Sequence, residues 1–159
     1  MIYTLQVKPK SELDVMKSIE SLGYTAYVPR EERQIRKRGK WHSQVNTIFP
    51  SYVFIDTDFI TNYLYYQLRK IDGFIRVLGE PSPLSATESE QIRWLCNNGQ
   101  IITPSHYIID ENKKIKFLDG AVMNLQHLIV DIKLRQKRVK LRITVEGKSF
   151  LVTLPVEKV

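Results

Sequence analysis

The segment that decides the fold is Ile48-Phe49-Pro50-Ser51-Tyr52-Val53-Phe54-Ile55-Asp56. From Val53 to Ile55 every residue is apolar, so both faces of this stretch carry hydrophobic side chains. A strand of that kind is typical of the centre of a sheet that is covered on two sides. We therefore expect the return arm of a long hairpin, Val45 to Asp56, to be a central strand.

A second block follows downstream, Gly73-Phe74-Ile75-Arg76-Val77-Leu78-Gly79 and then Pro81-Ser82-Pro83-Leu84-Ser85. Phe74 to Leu78 predicts a strand, and Ser85-Ala86-Thr87-Glu88 has the pattern of a capping box at the start of a helix. Three apolar residues of this helix recur at helical spacing and form its inward face, and Asn97-Asn98-Gly99 ends it. They are Ile92, Leu95 and Cys96.

The residues before the deciding segment predict a strand, a helix and a second strand. Ile2 to Val7 is typical of a strand, and Ser11 is in place to cap a helix that ends at Gly23. Tyr24 to Pro29 predicts the second strand. It leads into a basic segment in which Arg38-Gly39-Lys40 offers a turn between two long antiparallel arms.

One more helix is expected between the two sequence blocks. Asp58 is its predicted N-cap, Ile60, Leu64 and Leu68 share one face, and Asp72-Gly73 ends it. The element order becomes β-α-β-β-α-β-α. Helices laid on one face of a mainly antiparallel sheet form an α/β sandwich, so the predicted fold class is α+β.

The last third of the chain has a different pattern. Turn-forming residues dominate 98–112, which we interpret as a partly mobile linker. Beyond it, short strand-like runs separated by turns predict a compact β barrel over residues 113–159. In Arg138 to Val145 apolar and polar residues alternate strictly. One face of this strand therefore presents a row of cations.

Positive charge is concentrated in two places. The formal net charge is +7, and residues 111–159 hold eleven lysines and arginines against five acidic residues. Residues 30–40 hold six basic residues against two acidic ones. Clustered positive charge is the electrostatic footprint of polyanion binding, which is driven by counterion release and weakened by salt. Ordinary solubilising surface is the alternative.

The 159 residues suffice for one medium domain, or for a domain of about 100 residues and a very small one. No stretch approaches the roughly 18 apolar residues of a membrane span, and Met1-Ile2-Tyr3 opens directly into a strand pattern. We therefore expect a cytoplasmic protein. The single cysteine, Cys96, lies in an apolar helical pattern and is interpreted as a core residue rather than a reactive thiol.

Catalysis finds little support in this sequence. His42, His106 and His127 are scattered, no metalloprotease, Walker or nucleophile-elbow motif occurs, and no paired acids suggest acid and base roles. His42 beside Trp41 in a basic arm offers only a weak case for a nuclease. We therefore expect no enzyme, no catalytic residue, no cofactor and no metal site.

Taken together, the Phe49-Pro50-Ser51-Tyr52 segment and the Gly73 to Ser85 block resemble the N-terminal (NGN) domain of NusG-type transcription factors. The resemblance implies that residues 1–97 bind the clamp helices of RNA polymerase beside the transcription bubble. In the family this contact is an apolar patch from the first strand and the Phe-Pro-x-Tyr segment. Ile2 stands where many members have tryptophan, and Ser51 where many have glycine. The patch maps onto Tyr3, Phe49, Pro50 and Tyr52; the alternative is that these residues belong to the core.

The remainder resembles the KOW domain that follows in NusG-type proteins. Asp119-Gly120, the basic strand and Phe150 to Leu154 sit where the family has them. His127 replaces the usual glycine, however, and Ala121-Val122 the usual Pro-Phe. With these departures and its concentrated charge, the chain resembles specialised paralogues of the LoaP or RfaH kind. Such paralogues are recruited to particular operons for antitermination. The LoaP kind recognises an RNA hairpin in the leader transcript.

Two sets of cations are candidate nucleic-acid contacts. Those of the tail suit the sugar-phosphate surface of an RNA hairpin, and those of the first domain lie on the hairpin arm and at the end of the second helix, where relatives approach the non-template DNA strand. A solvated arm and favourable pairing with the helix dipole are the alternatives. Tyr63, Tyr65 and Tyr66 offer rings on which bases could stack, but helical spacing favours packing for Tyr63 and Tyr66. The candidates are Arg33, Arg36, Lys37, Arg38, Lys40, Arg69, Lys70, Lys133, Arg135, Lys137, Arg138, Lys140 and Arg142.

The resemblance leads us to expect a specialised processivity and antitermination factor that binds RNA polymerase and a hairpin in the nascent transcript. The first alternative is a general NusG-type factor that couples polymerase to Rho or to the ribosome through ribosomal protein S10. A ribosome-associated KOW protein or a nuclease is the second. We expect a cytoplasmic monomer with no membrane partner.

Overall fold

The structure, a computed structural model, describes residues 1–159, which form eleven strands and four α-helices. They are, in chain order, β1 (Ile2–Val7), α1 (Glu12–Ser21), β2 (Thr25–Tyr27), β3 (Arg30–Lys37), β4 (Lys40–Thr47), β5 (Tyr52–Asp56), α2 (Asn62–Arg69), β6 (Phe74–Val77), α3 (Ala86–Cys96), β7 (Ser105–Ile109), β8 (Ile115–Phe117), α4 (Gly120–Asn124), β9 (Ile129–Lys133), β10 (Arg138–Val145) and β11 (Lys148–Lys158).

Two compact units emerge from the packing. The first contains Met1–Val28, Phe49–Glu90 and Val145–Gly147, and the second contains Pro29–Ile48, Gln91–Thr144 and Lys148–Val159. The β3–β4 hairpin arm is thus grouped with C-terminal strands, whereas the predicted range 1–97 keeps it with the N-terminal residues. The predicted domain ranges 1–97 and 113–159 stay a prediction drawn from the resemblance.

The sheet of the first unit is antiparallel and has the strand order β2-β5-β1-β6. Strands β5 and β1 occupy its centre, with Tyr3 opposite Ile55 and Leu5 opposite Val53. Val53 and Ile55 are fully buried, as the apolar pattern predicts for a central strand. Helices α1 and α2 pack against one face of this sheet through Val15, Ile19, Leu64 and Leu68.

The first two helices differ at their N-termini. Helix α1 starts directly after Ser11, but the Ser11 side chain makes no capping hydrogen bond, so the prediction that it caps the helix is wrong. The helix is followed by Gly23, whose φ of +92° suits glycine. Helix α2 starts after Thr61, whose Oγ1 accepts a hydrogen bond from the backbone N–H of Leu64 at 3.0 Å. The prediction that Asp58 caps this helix is therefore wrong. Asp58 instead uses its carbonyl oxygen to accept a bond from the Tyr3 hydroxyl at 3.4 Å.

Helix α3 confirms half of the predicted capping box. Ser85 Oγ accepts from the backbone N–H of Glu88 at 3.2 Å. The Glu88 carboxylate, instead of returning to the cap, accepts from the N–H groups of Glu146 and Gly147, each at 3.1 Å. The residues predicted for the inward face, Ile92, Leu95 and Cys96, are all buried.

The hairpin arm has the predicted turn, but its return strand is shorter than expected. Arg38 and Gly39 take φ values of +52° and +76°, as a two-residue hairpin turn requires. Strand β4 then ends at Thr47, and β5 begins only at Tyr52. The predicted continuous strand from Val45 to Asp56 is broken because Pro50 lacks an N–H for a ladder and Ser51 takes a φ of +71°.

The five C-terminal strands form a curled half-barrel in the order β8-β7-β11-β10-β9. The alternation predicted for β10 is confirmed, because Val139, Leu141, Ile143 and Val145 are all fully buried. A barrel closed on itself is not formed, since β8 and β9 stand at opposite ends of this order.

Residues 98–112 differ from the predicted linker. They contain β7, which pairs in parallel with β11 so that Ser105 lies opposite Val156. Ile102 and Tyr107, two apolar residues of this stretch, are buried and so anchor it. The short helix α4, which follows Asp119, was also not predicted from the sequence.

Candidate interaction surfaces

The segment Phe49–Tyr52 folds into a turn held by four backbone groups. The N–H of Tyr52 donates to the carbonyl of Phe49 at 3.2 Å, and the N–H of Val7 donates to the carbonyl of Ser51 at 2.9 Å. Proline at the second position and a φ of +71° at the third match a type II turn. Glu12 Oε1 completes the arrangement by accepting from the N–H of Ser51 at 3.1 Å and of Lys10 at 3.3 Å.

The four residues predicted to contact polymerase divide into two pairs by burial. Tyr3 and Phe49 are only 4% and 1% exposed, so in this structure they are core residues, which is the alternative left open by the sequence. Pro50 is exposed and Tyr52 is half-buried. Phe54 meets both aromatic rings of the turn edge-on, with centroid distances of 5.8 Å to Phe49 and 6.4 Å to Tyr52.

A carboxylate that sequence reasoning missed lies close to this turn. Burial raises the pKa of the Tyr52 hydroxyl, and the negative charge of Glu146 adds to the rise. Burial also raises the pKa of Glu146 itself, which faces the Glu88 carboxylate. Because Glu88 binds the backbone at Glu146 and Gly147, it fixes this acidic residue beside Tyr52. Nothing in the local sequence pairs these residues, which lie far apart along the chain.

The cations of the hairpin arm are largely on its surface. Arg36, Lys37, Arg38 and Lys40 are exposed. Arg33 is the exception: its guanidinium contacts Glu31 Oε1 at 2.8 to 2.9 Å and donates to Thr153 Oγ1 at 2.6 Å.

A buried charge cluster therefore forms at the base of the arm. Burial raises the pKa of Glu31, while Arg33 and Arg138 oppose that rise. Burial lowers the pKa of Arg138, and the charge of Arg33 lowers it further. Arg33 and Arg138 are half-buried and interact with Glu31, whereas Arg36, Lys37, Arg38 and Lys40 are exposed. The backbone reinforces the base, because the N–H of Glu32 donates to the carbonyl of Ile102 at 2.8 Å.

Trp41 brings the arm to the cations of residues 133–142. Lys137 Nζ lies 4.4 Å from the centroid of the Trp41 ring, and Arg36 Cζ lies 6.0 Å from it. Arg36 is also the residue directly opposite Trp41 in the hairpin. The remaining predicted cations of this region are exposed, as are Arg135 and Arg142, or half-buried, as are Lys133 and Lys140. Lys133 lies 3.9 Å from Asp131.

The end of α2 presents cations together with aromatic rings. Arg69 Cζ lies 6.0 Å from the Tyr65 centroid, and Lys70 Nζ lies 4.3 Å from the Tyr66 centroid. Tyr63 and Tyr66 are 68% and 60% exposed, so the prediction that they pack inward is wrong. Their helical spacing places them opposite the buried Leu64 and Leu68 rather than alongside them.

The three histidines do not come together. His42 and His127 are exposed, and His106 Nδ1 lies 2.9 Å from Asp119 Oδ2. No group of three or more histidine, cysteine, aspartate or glutamate side chains is arranged to hold a metal ion. None of the helices combines the length and hydrophobicity needed to cross a membrane.

Comparisons with known proteins identify the family and the fold of this chain. Residues 2–93 match the sequence profile of the family described as transcription termination factor nusG. The fold is similar to that of NusG from Thermotoga maritima, solved in a study of domain interaction in that protein, with a TM-score of 0.58 and 19% sequence identity. The match covers 98% of this chain and 93% of that one, and at this identity it concerns the fold alone. A search of curated protein sequences finds no match.

Proposed function

The chain belongs to the NusG family of transcription elongation and termination factors, and from this premise we propose that it is a specialised processivity and antitermination factor of the LoaP or RfaH kind. The observation that carries the proposal is that one chain contains both the turn at Pro50–Tyr52, in the segment that resembles the family, and a strongly basic second unit. Residues 133–142 alone contain six lysines and arginines and no acidic residue. That charge balance suits a nucleic-acid ligand in addition to a protein partner.

The proposed polymerase contact is the surface of the Phe49–Tyr52 turn. Pro50 and Tyr52 supply the accessible contact area, and the buried Phe49 packs against Phe54 behind the turn. Tyr3 is buried on the opposite face of the sheet, beside Ile55 and the helices, so it contributes to the core beneath the proposed contact. Aromatic side chains provide large contact area at low entropic cost, and a few such anchors usually dominate an interface. The partner is the clamp-helix region of RNA polymerase.

The proposed nucleic-acid contacts are the exposed cations of the arm and of residues 133–142, which would meet a hairpin in the nascent transcript. Single-stranded DNA, as in the non-template strand of the bubble, suits the end of α2, where Arg69 and Lys70 stand beside exposed tyrosines. Stacking on aromatic rings combined with cations is the usual means of binding unpaired strands. The protein would act in the cytoplasm as a monomer.

The mechanism requires no chemical step. A protein that bridges the polymerase clamp favours the closed form of the enzyme by the difference in its affinity for the two forms. Binding of the transcript by the same chain raises the local concentration of the factor at the genes that encode the RNA element. The two contacts together would keep polymerase elongating through terminators at chosen operons.

A general NusG-type factor is the second candidate, favoured by the family description as a termination factor. Such a factor would couple polymerase to Rho or to ribosomal protein S10 through residues 113–159. It would show no preference among transcripts.

The test is a transcription assay with purified RNA polymerase and templates with and without a leader that encodes an RNA hairpin. We expect terminator read-through to rise only on templates with a recognised leader. Tyr52→Ala should abolish the effect, whereas Leu151→Ala, which removes another exposed apolar side chain, should not. Equal activity on all templates would favour the general factor, and no dependence on Tyr52 would contradict the proposed polymerase contact.

A further inference from the structure

Two segments of this chain carry only positive charge among their ionisable residues, histidine aside. Residues 33–44 contain five lysines and arginines, residues 133–142 contain six, and neither contains an acidic residue. They are far apart in the sequence, so no local pattern brings them together. Like charges repel, so bringing these two segments together carries an electrostatic cost that residues outside them must offset.

The structure nevertheless holds the two segments against each other. Lys137 of one segment lies with its ammonium 4.4 Å from the ring centroid of Trp41 of the other, and Arg36 approaches the same ring at 6.0 Å. A cation over an indole face is attracted by the quadrupole of the ring. Trp41 thus forms a junction of aromatic surface between two sets of cations.

The junction does not depend on Trp41 alone. The arm is anchored at its base by the hydrogen bonds from Arg33 to Thr153 and from the N–H of Glu32 to the carbonyl of Ile102, and the Glu31 carboxylate holds the Arg33 guanidinium in position. Arg138 begins β10 and lies close to both residues. Its charge lowers the pKa of Glu31, and the charge of Arg33 lowers the pKa of Arg138. These buried contacts set the position of the arm, and the acid-free segments are brought together as a result.

Trp41 remains available to a ligand, because the residue is 36% exposed although cations approach its ring. A tryptophan among lysines and arginines is the combination that binds unpaired nucleotides, since the ring stacks on a base and the cations meet phosphates. Flexible lysine side chains can leave the ring for a phosphate at little cost, because phosphate offers a full charge in place of a quadrupole.

We propose that Trp41 joins residues 33–44 and 133–142 into one RNA-binding surface, on which a single RNA contacts both segments and an unpaired base stacks on the indole. The inference rests on the RNA binding proposed above and specifies where it occurs. The cation displaced from the ring, Lys137 or Arg36, pairs with the phosphate beside the stacked base.

The first measurement uses the fluorescence of Trp41. The chain has two tryptophans, so the full-length Trp94→Phe variant leaves Trp41 as the sole indole. The probes are an RNA hairpin with an unpaired adenine-rich loop, a fully paired RNA duplex, and single-stranded DNA with the loop sequence. We expect the hairpin to quench Trp41 emission and the duplex to bind without comparable quenching. Equal quenching by the DNA would overturn the assignment of RNA as the ligand.

The second measurement asks whether one RNA contacts both segments. Affinity for the hairpin RNA is measured over a range of salt for Lys37→Ala/Lys40→Ala, for Arg135→Ala/Arg142→Ala, and for the two pairs combined. Plots of log K against log salt have a negative slope, and each pair of replacements should reduce its magnitude by about two. The combination should reduce it by about four. Lys8→Ala/Lys17→Ala, which removes two exposed lysines elsewhere, should leave the slope unchanged.

Replacement of the junction itself gives the third measurement. Trp41→Ala should weaken hairpin binding about tenfold, and Trp41→Phe should retain much of the affinity because a ring remains. If RNA binds but only one segment changes the slope, or if Trp41 emission stays constant, the joint surface is overturned while RNA binding stands. If the wild-type chain binds no RNA even at low salt, RNA binding itself fails, and the joint surface fails with it.

Discussion

Glu12 Oε1 accepts a hydrogen bond from the backbone N–H of Ser51 at 3.1 Å, and through this bond the first turn of α1 holds the turn that displays Pro50 and Tyr52. The Glu12 side chain is buried, with 7% of the residue exposed. A helix N-terminus also favours a negative charge, so the carboxylate is stabilised where it is needed. A residue outside the predicted contact set therefore determines the geometry of that set.

Removal of this acceptor should destabilise the protein. Glu12→Ala leaves the N–H of Ser51 without its partner, which costs about 1–3 kcal/mol of unfolding free energy. Glu12→Gln keeps an oxygen that can accept and should cost less. Asp14→Ala, an exposed neighbour in the same helical turn, is the control and should change stability by less than about 1 kcal/mol. Urea unfolding with unchanged m values measures all three, and equal effects of Glu12→Ala and Asp14→Ala would contradict the anchoring role.

Ser51→Gly should stabilise the protein. Ser51 has a φ of +71°, a conformation that costs a side-chain-bearing residue on the order of 1 kcal/mol or more. Glycine removes that cost, and we expect a gain of about 1 kcal/mol, measured as a higher urea midpoint. Asn98, with a φ of +53°, is the control, because asparagine tolerates this region well and Asn98→Gly should gain less. A loss of stability in Ser51→Gly would show that the serine side chain makes a compensating contact.

Arg33→Ala should be the most damaging replacement among the arm cations. It leaves the Glu31 carboxylate, whose side chain is only 3% exposed, without its ion-pair partner. Breaking a fully buried pair costs about 3–5 kcal/mol; because the Arg33 side chain is 31% exposed, we expect about 2–3 kcal/mol. Arg36→Ala removes an exposed cation of the same strand and should stay within about 0.5 kcal/mol. Chemical unfolding compares the two, and similar losses would argue against the buried cluster.

Asp119 should contribute to the pH dependence of stability. The backbone N–H of His106 donates to Asp119 Oδ1 at 2.8 Å and, together with the His106 side chain, lowers the pKa of Asp119. An acid whose pKa is lower in the folded state stabilises the fold above its unfolded pKa, and this contribution is lost as the pH falls through the folded pKa.

Asp119→Asn should therefore melt below the wild type at pH 7, and the difference should shrink toward pH 3. Thermal unfolding followed by circular dichroism between these pH values provides the measurement. Glu111→Gln, an exposed acid without such a bond in this region, serves as the control and should show no comparable trend. A difference that is constant over the pH range would mean that geometry rather than charge accounts for the effect of Asp119.

Strong periodicity made much of the fold predictable. Alternating apolar residues in β10 reflect a strand buried on one face, and the continuous apolar run in β5 reflects a strand buried on both. Burial is therefore directly visible in the hydrophobic pattern of these strands. The breaks were less predictable. Pro50 and Ser51 interrupt what sequence alone presents as one strand, because their turn is stabilised by Glu12 and Val7, which lie far away along the chain.

The candidate surfaces show the same division. Composition identified the two basic segments, but only the fold shows that Trp41 and Lys137 connect them. Charge alone could not separate Arg33 and Arg138 from the exposed cations, because their partner Glu31 looks like any other acidic residue in a polar strand. Strand β7 was missed for a related reason: Ile101-Ile102 and Tyr107-Ile108-Ile109 are short apolar runs among turn-forming residues, and they become part of a core only with their distant partners.

The division of the chain into two units bears on how the protein is made. Residues 29–48 belong to the second unit, although they are synthesised before most of that unit, and residues 145–147 belong to the first, although they are synthesised after the rest of it. Domains generally fold as units while the chain leaves the ribosome, N-terminal first. Here neither unit possesses all its residues until translation has passed residue 147. The final step of folding must therefore follow the synthesis of residue 147. Until the later strands of the second unit emerge from the ribosome, the basic arm lacks the residues against which it packs.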